Sequence, residues 1–388
     1  MSNVRARLTA ALVATLAAAC SGGGDQPDPT VIGPFDRQVA AADVSILYPL
    51  TATTDRDDLI AASAIGAHGV LVPPDVLGDA TVGRLDSDVA ASDADLRLVA
   101  LRLDPCSARG SCTPEIRAVF QPVVVVDGRP IAADGALHVF YDVPADELLG
   151  FLKQVLALKR AAGAGVDVDR PLGVHPILAA RGLRSEFAVG LRAALLAHVG
   201  AARIARVTRM VHQFPDGDAW GFALFERRGD RLEAATIVDA QATNQTISGT
   251  GAHDPMIGGI YETGVTPSLP ALGVLAALGR PATTTPEVEA GFAEAIAAQD
   301  PTRHTSEDTD CVSCHVAEGA RLVGTTAYGL TPADEFASAR PLAYPRDGQA
   351  LTNLHAFGYL GAQVSVMRRT SHETALTADW FQEALLAE

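Results

Sequence analysis

Short runs of β-branched or alternating hydrophobic residues dominate the first part of the chain after its N-terminal segment. They lie at 43–50, 96–103, 118–128 and 136–143, and Gly, Pro and Asp separate them. Such runs are typical of strands bounded by turns. The unbroken apolar run Val123–Val126 predicts a strand that is buried on both faces.

Helical periodicity follows these strands. Residues 145–160 repeat leucine and valine every three or four positions, with acidic residues in the first turn and basic residues in the last. Ser185 opens a second helical pattern, which ends at Gly200. Short strand patterns return at 204–214, 220–226 and 232–238 with turns between them. This order predicts a three-stranded meander.

The C-terminal part of the chain has a different pattern of polar and hydrophobic residues from the first part. Residues 239–270 are polar and glycine-rich, and a long irregular segment of this kind is often functional. Helices are predicted at 286–299 and from Ser371 to Leu386, with a loop after the first of them. The fold class predicted by the whole pattern is α+β. We expect a mixed strand and helix body at 31–285 and a mostly helical region at 286–388.

The N-terminus carries a targeting pattern. Arg5 and Arg7 precede an apolar run, 8–19, that is too short to span a bilayer. The pattern predicts a signal peptide over residues 1–19. Residues 20–30 are rich in Gly, Pro and Asp and predict a tether that does not pack.

The stretch LAAAC, which ends at Cys20, resembles the lipobox of bacterial lipoproteins. That family has leucine three positions before the cysteine, where this chain has Ala17. The resemblance implies that Cys20 is lipidated and anchors the protein in a membrane. Ser21 after the cysteine resembles outer-membrane lipoproteins, which implies an outer-membrane location facing the periplasm or the cell surface. A plain secretory signal peptide cleaved before Cys20 is the alternative.

The net charge and the aromatic content of the chain indicate which kinds of binding partner to expect. The formal net charge is −16 and aromatic residues make up 5% of the chain. Nucleic-acid binding requires clustered Lys and Arg, so we expect no nucleic-acid partner. An acidic surface favours a basic protein partner, or it serves only solubility.

Two of the five cysteines lie close together in a short loop. Cys106 and Cys112 flank five residues rich in Ser, Gly and Arg. In an exported protein, such a pair predicts a local disulfide. A metal-binding pair and two reduced thiols are the alternatives.

The stretch DCVSCHVAEG contains the motif C-x-x-C-H, formed by Cys311, Cys314 and His315. Two thiols at this spacing can reach both vinyl groups of one porphyrin, and the adjacent imidazole can reach its iron. A thioredoxin-like pair would need a βαβ context, and a zinc site would need a second Cys or His pair. A structural disulfide would leave His315 without a role.

The motif resembles the haem-binding motif of c-type cytochromes, and the resemblance covers only the C-terminal region. It implies one covalent haem c, with Cys311 and Cys314 as thioether attachments and His315 as the proximal iron ligand. Small cytochromes c place a helix directly before the motif, whereas residues 300–310 intervene here. Their distal methionine precedes a C-terminal helix, as Met367 does in this chain. Packing in the core is the alternative role for Met367.

Histidines compete with Met367 for the distal position. They are His304, His355 and His372 nearby, and His253, which lies beside Met256 in the glycine-rich segment. A filled position favours one-electron transfer with a redox protein partner, whereas an open one permits peroxidase-like haem chemistry. A surface or scaffolding lipoprotein with a structural or vestigial motif is the further alternative. The body of the chain lacks nucleophile elbows, phosphate loops and H-E-x-x-H, so we expect it to serve in docking or scaffolding. We expect an electron-transfer protein rather than a catalyst.

Acidic residues flank the motif. Glu307, Asp308 and Asp310 precede Cys311, and Glu318 follows it. Carboxylates beside a haem edge would lower its potential and attract a basic partner. A solvated loop without either effect is the alternative.

Overall fold

The computed structural model describes most of the chain after its N-terminal segment. The described residues are 39–74, 93–106, 112–167, 170–213, 219–229, 231–238, 242–248, 262–263, 284–305, 308–345 and 353–387. All of them belong to one compact unit, Gln38–Glu388. The predicted signal peptide, tether and lipidated Cys20 lie outside the described residues, as do His253 and Met256.

Fourteen strands are present in the described part of the chain. They are β1 (Ser45–Leu47), β2 (Ile65–Gly66), β3 (Gly69–Val70), β4 (Leu96–Asp104), β5 (Glu115–Val126), β6 (Arg129–Ala132), β7 (Ala136–Asp142), β8 (Ile204–Gln213), β9 (Ala219–Arg228), β10 (Arg231–Ala235), β11 (Asn244–Ser248), β12 (Glu262–Thr263), β13 (Phe357–Leu360) and β14 (Gln363–Val366).

Ten of these strands form one antiparallel sheet. Its order is β1-β4-β5-β7-β8-β9-β11-β12, with β6 paired to the end of β5 and β10 paired to the end of β9. β2 with β3 and β13 with β14 form separate hairpins. The predicted meander is present as β8, β9 and β10, and it continues the sheet that the first strands begin.

Seven α-helices accompany the strands in the described residues. They are α1 (Ala41–Val44), α2 (Ala145–Ala162), α3 (Pro176–Arg181), α4 (Glu186–His198), α5 (Pro286–Ala298), α6 (Cys311–Tyr328) and α7 (Arg368–Leu386). The α+β prediction is confirmed. None of the helices within the described ranges is both long and apolar enough to cross a membrane.

Alternate side chains of β7 point to opposite faces of the sheet, and each face packs against a different layer of the fold. Leu137, Val139 and Tyr141 are fully buried and share one apolar core with Phe151 of α2 and Leu191 of α4. The intervening residues point to the opposite face because successive side chains of a strand alternate.

On that opposite face the sheet carries a second apolar core. Ala136, Met210 and Phe222 pack there with apolar side chains of α5 and α6, such as Phe292 and Val316. The C-terminal helices therefore cover the sheet face that the strand pattern leaves open.

Four predictions about single elements differ from the structure. The segment predicted as irregular at 239–270 contains β11 and β12, and the last helix, predicted from Ser371, begins at Arg368. The strand expected at 43–50 is observed as α1 followed by the three-residue β1. The loop expected to carry the C-x-x-C-H motif is instead the start of α6, which begins at Cys311. Cys106 and Cys112, near the ends of β4 and β5, lie at disulfide distance, with their Cα atoms 5.6 Å apart.

Candidate functional site

A buried aspartate fixes the first turn of the motif helix. Asp310 is the N-cap of α6, and its side chain is fully buried. Its carboxylate accepts hydrogen bonds from Ser313 N at 2.9 Å, Ser313 Oγ at 2.6 Å and Gln245 Nε2 at 2.9 Å. Gln245 Oε1 in turn accepts from Val312 N at 3.2 Å. The motif is thus tied to strand β11 as well as capped.

The imidazole of His315 is oriented by a backbone carbonyl. Its Nδ1 hydrogen-bonds to Leu354 O. Because a carbonyl oxygen only accepts, Nδ1 carries a hydrogen, and in the neutral ring Nε2 then has the lone pair. The ring also packs against Phe222, with centroids 4.9 Å apart. A second hydrogen bond of this kind is what orients metal-ligating histidines in general.

The motif opens on a cavity of about 270 Å³ between the sheet and the C-terminal helices. Cys311, Cys314 and His315 line it, and so does Met367, the N-cap of α7. The structure therefore brings together all four residues that the sequence nominates for haem binding. A smaller adjoining cavity of about 30 Å³ also touches Cys311 and His315.

The two motif cysteines are reduced thiols in the structure. Burial raises the pKa of Cys311 to about 12, with the charge of Asp310 adding to the effect. Burial also raises the pKa of Cys314. Both groups are therefore protonated at neutral pH, unlike the thiolates of thioredoxin-like redox pairs, whose pKa values are lowered.

Guanidinium groups gather on the cavity wall of this acidic chain. They belong to Arg102, Arg117, Arg206 and Arg369. Arg102 and Arg369 each pair with Glu373 at 2.8 Å. Burial alone would raise the pKa of Glu373, but Arg369, Arg102 and Arg117 outweigh it and hold that pKa well below its usual range. Arg117 pairs with Asp104 and Glu115, and Arg206 pairs with Glu115 at 2.9 Å. The positive charge of the wall is therefore largely balanced by carboxylates, and the guanidinium groups supply hydrogen-bond donors.

The other nominated histidines are held in different ways. His372 bonds through Nδ1 to Gln299 O at 2.7 Å and through Nε2 to Tyr344 Oη at 3.1 Å, so both ring nitrogens are engaged. His304 lies 3.8 Å from Asp308. Neither lines the two cavities described above. His355 lines the smaller one, with Nδ1 3.0 Å from Asn353 Oδ1.

Two potential iron ligands at the site were missed in the sequence. His138 of β7 lines both cavities, and Met210 of β8 lines the smaller one. The alternation of β7 puts Ala136, His138 and Phe140 on one face, which was readable from the sequence. The sequence does not reveal which element covers that face, because the helix that carries the motif is distant from β7 along the chain.

Two of the four acidic residues around the motif have structural roles. Asp310 caps α6, and Glu318 is buried, accepting from Arg368 N at 3.0 Å and from Arg368 Nε at 3.2 Å. The expectation of a solvated loop or a docking surface is wrong for these two residues. Glu307 lies outside the described residues.

Comparisons with known proteins add no assignment to this geometry. No protein-family model, curated protein or solved structure matches the chain. Across the described ranges, no three His, Cys, Asp or Glu side chains are grouped so that they alone could hold a metal ion.

Proposed function

We propose that this protein is a monohaem c-type cytochrome of the bacterial cell envelope that exchanges single electrons with a protein partner. The observation that carries the proposal is the convergence of Cys311, Cys314 and an oriented His315 on one cavity. A bound haem c would supply a one-electron iron couple whose potential the protein tunes.

The residues of the cavity fit that group. Each motif thiol would add across one vinyl group, forming a sulfur–carbon bond while the thiol hydrogen passes to the other vinyl carbon. Nε2 of His315 would bind the iron from one side. Arg102, Arg117 and Arg206 are each paired with a carboxylate of the chain, and their further N–H groups would serve as donors to the two haem carboxylates.

Apolar side chains complete the fit. Phe140, Leu224 and Ile237 line the same cavity and would contact the porphyrin ring. At about 270 Å³, the cavity lies just below the ~300–1,000 Å³ of pockets that bury most of their ligand. A porphyrin attached here would therefore keep part of its edge outside the cavity, where a redox partner could approach it.

The envelope location rests on the leader sequence. A signal peptide over residues 1–19 and lipidation of Cys20 would deliver the chain to the compartment where haem is attached to C-x-x-C-H motifs. The redox partner would meet a protein of net charge −16, which favours a basic partner and an association rate that falls with salt.

Covalent haem is tested on protein produced together with a haem-attachment system. Wild-type protein should give a pyridine haemochrome spectrum of haem c and keep its haem through denaturing electrophoresis, because thioethers do not depend on folding. The double variant Cys311→Ala/Cys314→Ala should lose the bound haem.

The matched control removes the other cysteine pair. Cys106→Ala/Cys112→Ala changes the same number of cysteines away from the cavity and should keep the haem. Wild-type protein without covalent haem would refute the proposal and favour a scaffolding lipoprotein. Haem-loaded protein that reacts rapidly with peroxide would refute simple electron transfer and favour a peroxidase-like enzyme.

A further inference from the structure

A histidine on the sheet faces the same cavities as the motif histidine. His138 lies in β7, where it pairs with Thr208 of β8. It lines both the larger and the smaller cavity, as do Cys311 and His315. His315 comes from the helical wall of this space and His138 from the sheet wall. The two imidazoles therefore approach it from different layers of the fold.

The imidazole of His138 is available to bind a metal. Its side chain is half-buried and borders both cavities, so the ring can be reached from that space.

The rival ligands are placed less favourably. His372 uses both ring nitrogens in hydrogen bonds away from the site. His355 is held through Nδ1 by Asn353, as His315 is held by Leu354 O, but it lines only the smaller cavity. Met367 lines only the larger one. His138 touches both and stands on a strand that is paired on each side, by β5 and β8, which fixes its position.

We infer that His138 is the distal ligand of the haem iron, opposite His315. This inference rests on the proposed function, since it requires haem at Cys311 and Cys314. Histidine in place of methionine at this position gives a lower reduction potential, because methionine ligation favours the reduced iron. With His315 and His138 as its two protein ligands, a bound haem would serve as a low-potential electron carrier.

Electron paramagnetic resonance and near-infrared magnetic circular dichroism of the ferric, haem-loaded protein test the inference. Wild type should be low-spin, with the charge-transfer band of two histidine ligands. His138→Ala should become high-spin, and added imidazole should restore the low-spin signal. His198→Ala, a histidine of α4 outside both cavities, is the matched control and should leave the spectra unchanged.

The variant His138→Met tests the same inference if His138→Ala is produced in too small an amount. It should shift the near-infrared band to the histidine–methionine type and raise the midpoint potential. A low-spin spectrum that survives unchanged in His138→Ala would overturn the inference, as would a methionine band in wild type that Met367→Ala removes. A high-spin wild type would overturn it too.

These outcomes are distinct from failure of the proposed function. Covalent haem that persists with an unaltered spectrum in His138→Ala refutes only the distal assignment. Wild-type protein without covalent haem refutes both.

Discussion

At the scale of single residues, burial couples the protonation of His175 to folding. This side chain is 1% exposed and is the N-cap of α3, where Nδ1 accepts from Leu178 N at 3.5 Å. Its ring stacks on Phe187, with centroids 4.7 Å apart. Burial lowers the pKa of His175 to about 3. A protonated Nδ1 could not accept the capping bond, so the neutral form belongs to the folded state.

The first prediction follows from that shift. The unfolded chain takes up the proton near pH ~6.5 while the folded chain does not, so stability is lost as pH falls below that value. Going from about pH 7.5 to about pH 5.5, His175 should cost wild type on the order of 1 kcal/mol of unfolding free energy. His175→Asn keeps a capping acceptor without titrating and should lose correspondingly less. Urea unfolding at both pH values measures the difference, and equal losses in the two proteins would contradict the assignment.

Some residues of the candidate site can be predicted from the sequence, and others cannot. Cys311, Cys314 and His315 were nominated because their spacing is local, and the structure places them on one cavity. His138 was missed because its role depends on which element covers β7. That contact joins distant parts of the chain, and no local pattern encodes it.

At the scale of elements, hydrophobic periodicity predicts the helices α2, α4, α5 and α7 and the strands β4, β5 and β7 to β10. It does not predict α1, α3 or α6, nor the short strands β2, β3, β6 and β11 to β14. The last helix is predicted from Ser371, but α7 begins at Arg368. The reason is a cap from another element: Glu318 of α6 accepts the hydrogen bond from Arg368 N. Capping signals within the sequence cannot reveal a cap that arrives through tertiary packing.

The second prediction concerns the contact between α5 and α6. A Cβ atom at Gly324 of α6 would lie 2.7 Å from Phe292 Cε2 and closer still to Cδ2, and Phe292 is buried. Gly324→Ala should therefore lower the free energy of unfolding by ~1–3 kcal/mol despite the better helix propensity of alanine. Thermal unfolding followed by circular dichroism measures it.

A glycine in another helix provides the control for that substitution. A Cβ atom at Gly150 of α2 meets nothing within 4 Å. Gly150→Ala should stabilise the protein by up to ~1 kcal/mol, as expected for a helix interior. If Gly324→Ala stabilised the protein in the same way, the close packing of α5 on α6 would be wrong.

At the scale of the whole molecule, the C-terminal region shares its core with the sheet. Phe357, Tyr359 and Phe381 belong to the same apolar core as the first strands. Gln121 of β5 is fully buried, donates to Tyr359 O at 2.9 Å and accepts from Tyr359 N at 2.8 Å. Ser45 Oγ and Thr374 Oγ1 lie 2.7 Å apart. These links join residues that hydrophobic patterning assigned to separate regions, 31–285 and 286–388.

The last prediction is that the two regions unfold together. The chain has two tryptophans, Trp220 in β9 and Trp380 in α7, so Trp220→Phe and Trp380→Phe each leave one reporter. In each variant, tryptophan emission and far-UV circular dichroism should give the same urea midpoint, as one cooperative transition requires. Gln121→Leu would leave buried backbone groups of β13 without partners and should lower stability by roughly 2–4 kcal/mol. Added to either single-tryptophan variant, it should move both probes equally. An earlier transition reported by Trp380 alone would show instead that the C-terminal region is a domain of its own, and the cavity would then lie at a domain boundary.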